Sequence, residues 1–213
     1  MPQKRFRNKD RKRRSRNSGG SNRKPLTIEQ FIKTDFSNRS TEPEFVPSWK
    51  FDDAILHPVL QRSLRRKGYE FLTEIQEKAM PQIMEGHDVI GIAGTGTGKT
   101  AAFLLPILLN LLEKPKENNA LILTPTRELA TQILNEFVSL ARGLNLYASS
   151  LIGGEHVSKS ITALKRRNHV IIGTPGRVQD MADRGLLSLG SFEALVLDEF
   201  DRMMDMGFIA SKR

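Results

Sequence analysis

Ala93-Gly94-Thr95-Gly96-Thr97-Gly98-Lys99-Thr100 lies between two apolar runs, Val89-Ile90-Gly91-Ile92 and Ala101-Ala102-Phe103-Leu104-Leu105. An apolar strand, a glycine turn and an apolar helix in that order form the opening unit of a phosphate-cradling α/β domain. Glycines let backbone N–H groups turn inward and approach phosphate oxygens closely. A helix opening near Gly98 adds the positive end of its dipole. Lys99 can reach terminal phosphates, and the Thr100 hydroxyl can ligate Mg²⁺. The common form of the motif opens on glycine where Ala93 stands, a difference of one methyl group. Farther along, Val196-Leu197-Asp198-Glu199 ends another apolar run in two carboxylates. A metal–nucleotide site needs such a pair opposite its cradle. Together the two segments read as a nucleotide hydrolase, with Asp198 sharing Mg²⁺ with Thr100 and Glu199 orienting and deprotonating a water.

The chain outward from the loop alternates. Strands are expected at Asp88–Ala93, Ala120–Thr124, Leu146–Ile152, His169–Gly173 and Ala194–Leu197. Helices are expected between them, at Lys99–Leu112, Arg127–Ala141, Ser158–Arg166 and Gly176–Asp183. The strand runs are short and lack polar alternation, as expected when both sheet faces are covered. Strand and helix in strict turn predict a doubly wound parallel sheet. Ligands of such sheets gather at the carboxyl ends of the strands. There the sequence places Ala93–Thr100, Pro125-Thr126-Arg127, Gly153-Gly154, Thr174-Pro175-Gly176-Arg177 and Asp198–Asp201. Upstream, Ile55–Arg66 carries a helical apolar stripe stopped by Gly68. Thr73-Glu74-Ile75-Gln76 has capping-box spacing and opens a second helix, expected to bend or break at Pro81.

Composition narrows the class. Of 213 residues 38% are hydrophobic, enough for one domain with a modest core. There is no cysteine, so disulfides, thiolate metal sites and cysteine nucleophiles are excluded. The four histidines show no metal-ligand spacing and are expected at the surface or in packing. No stretch has the length of a membrane span or the pattern of a signal peptide, and the expectation is a cytoplasmic protein. The net charge of +9 is concentrated: residues 1–24 hold eleven Lys/Arg against Asp10 alone, whereas the remainder has 22 basic and 23 acidic residues. Residues 1–24 therefore read as a disordered basic tail that binds nucleic acid without reading sequence, with a solubility tail as the plainer alternative. Five phosphate contacts would give a log–log salt slope of roughly −3.5. Residues 25–50 read as a linker with a short helix at Thr27–Phe36, and residues 51–213 as the folded domain.

These motifs resemble the first RecA-like domain of DEAD-box RNA helicases, over roughly Phe51–Ile209. Gly68-Tyr69-Glu70-Phe71-Leu72-Thr73-Glu74-Ile75-Gln76 is similar to the family's Q motif, with Phe51 as its isolated upstream aromatic. The resemblance implies a RecA-like P-loop NTPase fold and ATP as the nucleotide. Gln76 and Thr73 would recognise adenine, and Tyr69 with Phe51 would pack on the base; a plain helix-capping role is the alternative for Gln76. It also implies backbone contacts to RNA from Pro125, Thr126, Arg127, Gly153, Gly154, Thr174, Pro175, Gly176 and Arg177, and interdomain coupling through Asp201. Gly153-Gly154 could instead be a tight turn, and Thr174 an N-cap. Glu128 is expected as a structural ion-pair partner, and Met203, Met204, Met206 and Phe208 as core.

Three departures stand out. Leu72 replaces a usual proline, Phe200 replaces the alanine of the family name, and this sequence contains neither the Ser-Ala-Thr motif nor a second RecA-like domain with its arginine finger. The favoured reading is the ATP- and RNA-binding portion of a helicase that needs that second domain for activity. The alternatives are a non-catalytic RNA-binding module or an inactive truncated fragment and, more weakly, a DNA-directed helicase. The sheet edge is expected to be exposed and aggregation-prone.

Overall fold

A computed structural model describes residues 45–53, 57–117 and 119–207; the basic tail, the Thr27–Phe36 helix and Phe208 lie outside the described residues. Four strands form one sheet in the order β2-β3-β1-β4: β1 (Ala120–Leu123), β2 (Ala148–Leu151), β3 (Val170–Gly173) and β4 (Ala194–Leu197). Every pairing is parallel, and the register aligns Leu151, Gly173, Leu123 and Leu197 in one row. All four strands therefore release their chains at the same edge, which makes one rim out of segments far apart in sequence.

The helices follow from apolar stripes and caps. They are α1 (Pro58–Arg66), α2 (Glu74–Met84), α3 (Lys99–Glu113), α4 (Arg127–Leu140), α5 (Val157–Leu164), α6 (Pro175–Asp183) and α7 (Phe200–Asp205). His57 Nδ1 caps α1 by accepting from the Val59 amide at 3.3 Å, and Gly68 ends the segment with φ +74°. Thr126 caps α4, its hydroxyl accepting from the Leu129 amide at 3.3 Å. Alternate strand residues serve opposite layers. Ala120, Ile122, Val170 and Ile172 pack with Leu104, Leu108, Ile133 and Phe137 of α3 and α4. Leu121, Ile171 and Leu151 pack with Val178 and Met181 on the other face.

Four expectations are corrected. Asp88–Ala93 is no strand: it joins no ladder, and Val89, Ile90 and Ile92 are exposed. An apolar run signals burial, but a strand also needs a partner edge, and none of the described strands lies beside it. The expectation of cover on both faces also fails at β4: Leu195 and Leu197, which share one face, are exposed. Pro81 does not interrupt α2, which continues to Met84. Buried Ala79 and Met80 just before it, in a helix packed on α3, hold the chain through the lost hydrogen bond. Of Met203, Met204 and Met206 only Met203 is core; Met204 and Met206 are exposed.

The compact unit begins at Phe45, within the expected linker. Glu77 on α2 anchors it, accepting from the Ser48 amide (2.8 Å), the Ser48 hydroxyl (2.7 Å) and the Trp49 amide (2.9 Å). Those bonds hold the Glu77 carboxyl below its ordinary value, against the opposing effect of desolvation.

Candidate functional site

The glycine loop is locked to the start of α2. Gly98 caps α3 in the left-handed region, φ +91°, where only glycine is unstrained. A Cβ there would lie 2.9 Å from Thr73 Oγ1 and would collide with the Gln76 amide. That amide is buried. Its Nε2 donates to the Gly98 carbonyl at 3.1 Å, and its Oε1 accepts from the Thr73 amide at 2.9 Å. Gln76 is thus the reach-back arm of a capping box and a clasp on the loop together. Thr73 Oγ1 is buried beside the clasp with no hydrogen-bond partner. Within the loop, Thr97 Oγ1 donates to the Gly94 carbonyl (2.8 Å), and Lys99 Nζ donates to the Ala93 carbonyl (2.8 Å). Thr95 and Gly96 form the exposed turn, and Thr100 follows Lys99 in the first turn of α3.

Asp198 and Glu199 leave β4 at the rim. Burial raises the Asp198 carboxyl above its ordinary value, and the adjacent Glu199 charge raises it further; the Lys99 ammonium opposes both. Lys99 is therefore close enough to act on Asp198 electrostatically. Glu199 sits at φ +50°, ψ +49°, strained backbone for a non-glycine residue, and its carboxylate accepts from Arg202 Nη1 at 2.6 Å. No group of three or more His, Cys, Asp or Glu among the described residues forms a self-sufficient metal cage. The donor set suits instead a hard cation shared between Thr100, Asp198 and phosphate oxygens. The half-buried Asp198 carboxylate, raised by desolvation and by Glu199, is what such a cation would satisfy.

The aromatic pair is placed differently from expectation. Phe51 and Tyr69 stack on each other, centroids 5.9 Å apart. Phe51 is 2% exposed within the core, so it backs Tyr69 and presents no open ring face. Tyr69 donates to Glu136 Oε1 at 3.2 Å; burial and that carboxylate raise its phenol above the ordinary value.

Along the rim, Gly153, Gly154, Thr174 and Arg127 come together. The Gly153 amide donates to Thr174 Oγ1 at 3.3 Å, so this hydroxyl ties two strand ends and does not cap its own helix. Gly154 has φ +75°, and a Cβ there would lie 2.5 Å from Arg127 Nη1. Pro125 is buried, whereas Arg127 and Gly176 are exposed, and Thr126 and Pro175 are partly so. Arg177 is a correction. Its guanidinium is 8% exposed and donates to Ser160 Oγ (2.7 Å) and to the Glu155 carbonyl (2.7 Å). It braces the loop after β2 and does not face solvent. Glu128 is exposed and makes no ion pair with another described residue, contrary to its expected structural role. Asp201 is exposed on α7. Sequence reasoning missed Arg202, whose spacing of three from Glu199 was the available signal, and Ser160, which had none.

The family model for the DEAD/DEAH box helicase matches residues 73–212, well over half of the chain. The chain belongs to the DEAD/DEAH box helicase family. It is 44% identical over 160 residues to the ATP-dependent RNA helicase CshA of Listeria monocytogenes, covering 75% of this chain and 31% of that protein. It is 40% identical over 178 residues to the ATP-dependent RNA helicase RhlB of Haemophilus influenzae, covering 81% of this chain and 43% of the relative. A solved DEAD box protein from Methanococcus jannaschii superimposes with TM-score 0.71 at 39% identity, over 77% of this chain and 45% of that one. This likeness makes the sheet RecA-like. The chain spans between 31% and 45% of the length of these relatives. Phe200, one of the departures from the family pattern, is 41% exposed at the start of α7.

Proposed function

We propose that this chain is the ATP- and RNA-binding first domain of an ATP-dependent RNA helicase, acting in the cytoplasm. The observation that supports the reading is the bond from the Gln76 amide to Gly98 at the start of α3, together with the electrostatic reach of Lys99 to Asp198. Gly94–Gly98 and Lys99 would hold the phosphates, and Thr100 with Asp198 would hold Mg²⁺. When bound, Mg²⁺ would neutralise charge on the phosphate oxygens. Glu199, held by Arg202, would orient a water and take its proton. Gln76 has one N–H beyond the clasp, and the Thr73 hydroxyl lies free beside it; both would read the adenine edge. Arg127 with the Gly153–Gly154 and Thr174 backbone would hold RNA through phosphate and ribose, which carry no sequence information. Arg177 serves that surface from beneath.

Phosphoryl transfer depends on positioning and charge, and an arginine finger supplies ~10³–10⁵ in rate. Activity therefore requires a second RecA-like domain. The test mixes this chain with such a domain and measures ATP turnover with and without RNA, against Lys99→Ala. RNA-stimulated turnover that disappears in the variant is expected. Turnover no higher than the variant's, with RNA still bound, would establish the non-catalytic module instead.

A further inference from the structure

A second basic site lies away from the rim, in a depression of about 500 Å³ between the end of α1 and the outer face of α4. Arg66, Lys67 and Arg142 line it, together with Ser63, Asn135 and Ser139. Its charge is not internally balanced. Lys67 Nζ is paired with Glu136 at 2.9 Å, and the same carboxylate also takes the Tyr69 hydroxyl. Arg66 donates only to a neutral group, Ser63 Oγ at 3.0 Å, and Arg142 forms no ion pair with another described residue. Two exposed guanidiniums thus share one concavity with hydroxyl and amide groups and no spare carboxylate. A guanidinium presents its N–H donors in a fork that matches phosphate oxygens two at a time.

What connects this depression to the rim is α4 itself. Arg127, Thr131, Asn135, Val138 and Arg142 recur at helical spacing, and all are exposed. They form one stripe, free of carboxylates, with Glu128 beside its first turn. The stripe runs from Arg127 at the rim to Arg142, about 22 Å along the helix axis at 1.5 Å per residue. We propose that the Arg66–Arg142 depression holds a phosphodiester of the same RNA strand that enters at Arg127, so that α4 carries the flanking RNA to a second anchor. The proposal rests on the reading of the rim as an RNA surface.

The test compares the full chain with Arg66→Ala/Arg142→Ala, using a single-stranded RNA of about six nucleotides and one of about twenty-four, across a salt series. Two lost phosphate contacts should flatten the log–log salt slope for the long RNA by about 1.4, at 0.7 per contact. Binding of the short RNA should not change. Arg66→Lys/Arg142→Lys should keep the slope, because the charges remain. Both residues are exposed, and an unchanged melting temperature would confirm that the fold is intact. Equal slopes for wild type and double alanine variant on the long RNA would overturn the second anchor alone. So would displacement of long RNA from the wild type, but not from the variant, by a polyglutamate peptide, which would assign the depression to acidic protein. If the wild type bound neither RNA, the rim reading would fall as well.

Discussion

The strand β3 and the segment 88–93 are written in the same alphabet and meet opposite fates. Val170, Ile171 and Ile172 are wholly buried, each with a ladder on both sides and helices on both faces. Val89, Ile90 and Ile92 are 40%, 80% and 89% exposed. Between these extremes lies β4, paired to β1 on one side and bare on the other, with Leu195 61% exposed. An apolar tripeptide contributes to stability only through what lies against it. The centre of the sheet, at β3, is closed on every side, whereas β4, which ends in the acidic pair, is open.

The sharpest way to break this comparison is to truncate one side chain from each region. Ile172→Ala should cost about 2–5 kcal/mol in chemical denaturation, as large-to-small changes in closed cores do. Ile90→Ala should cost under about 0.5 kcal/mol, as surface changes do. Equal losses would mean that 88–93 is buried in solution. Next in size is a pair of glycines. A Cβ on Gly173 would lie 2.7 Å from the Leu151 carbonyl oxygen, so Gly173→Ala should destabilise by about 1–3 kcal/mol. On Gly91 it would meet only the flexible tip of Ile75 at 3.2 Å, and Gly91→Ala should cost less than half as much in the same assay.

The third comparison uses pH. His169, at the entry to β3, is buried, and its ring nitrogen accepts from the Tyr147 amide at 3.0 Å. Burial, and then the Arg167 charge, holds this imidazole below its ordinary value. A group depressed in this way contributes stability above about pH 6.5, its value in the unfolded chain, and that stability is lost as pH falls toward the folded value. The denaturation midpoint should drop between pH 7.5 and 5.5, and His169→Asn should flatten the profile. Retention of the full slope in that variant would move the cause elsewhere. The smallest effect on stability belongs to Leu195→Lys, within about 0.5 kcal/mol. A charge on an open sheet should nevertheless reduce self-association in sedimentation, and unchanged association would remove β4 as its source.

Most of the fold was legible because its signals are local. The stripe Ile133, Phe137, Leu140 declared α4, and Ala194–Leu197 carried the same bounds in sequence and structure. Parallel strands put the segments after Leu123, Leu151, Gly173 and Leu197 on one rim, and that followed from alternation alone. What escaped depended on partners. Periodicity told that Val89–Ile92 wants burial, not whether an edge is there to supply it. Arg177 read as a surface cation because its partners, Ser160 and Glu155, lie 17 and 22 residues away. Phe51 read as a stacking ring, and only its burial in the core behind Tyr69 reveals that it presents no open face. At the candidate site, residue types were readable but mutual restraint was not: the bond from Gln76 to Gly98 spans 22 positions.

The contact between Lys99 and the Ala93 carbonyl has a consequence of its own. The loop carries an internal rival for its own ammonium group, so an incoming anion must outcompete a backbone oxygen before it gains the lysine. Weakly charged visitors should lose that contest and polyphosphates should win it. Selectivity for densely charged ligands is thereby set by the loop at rest.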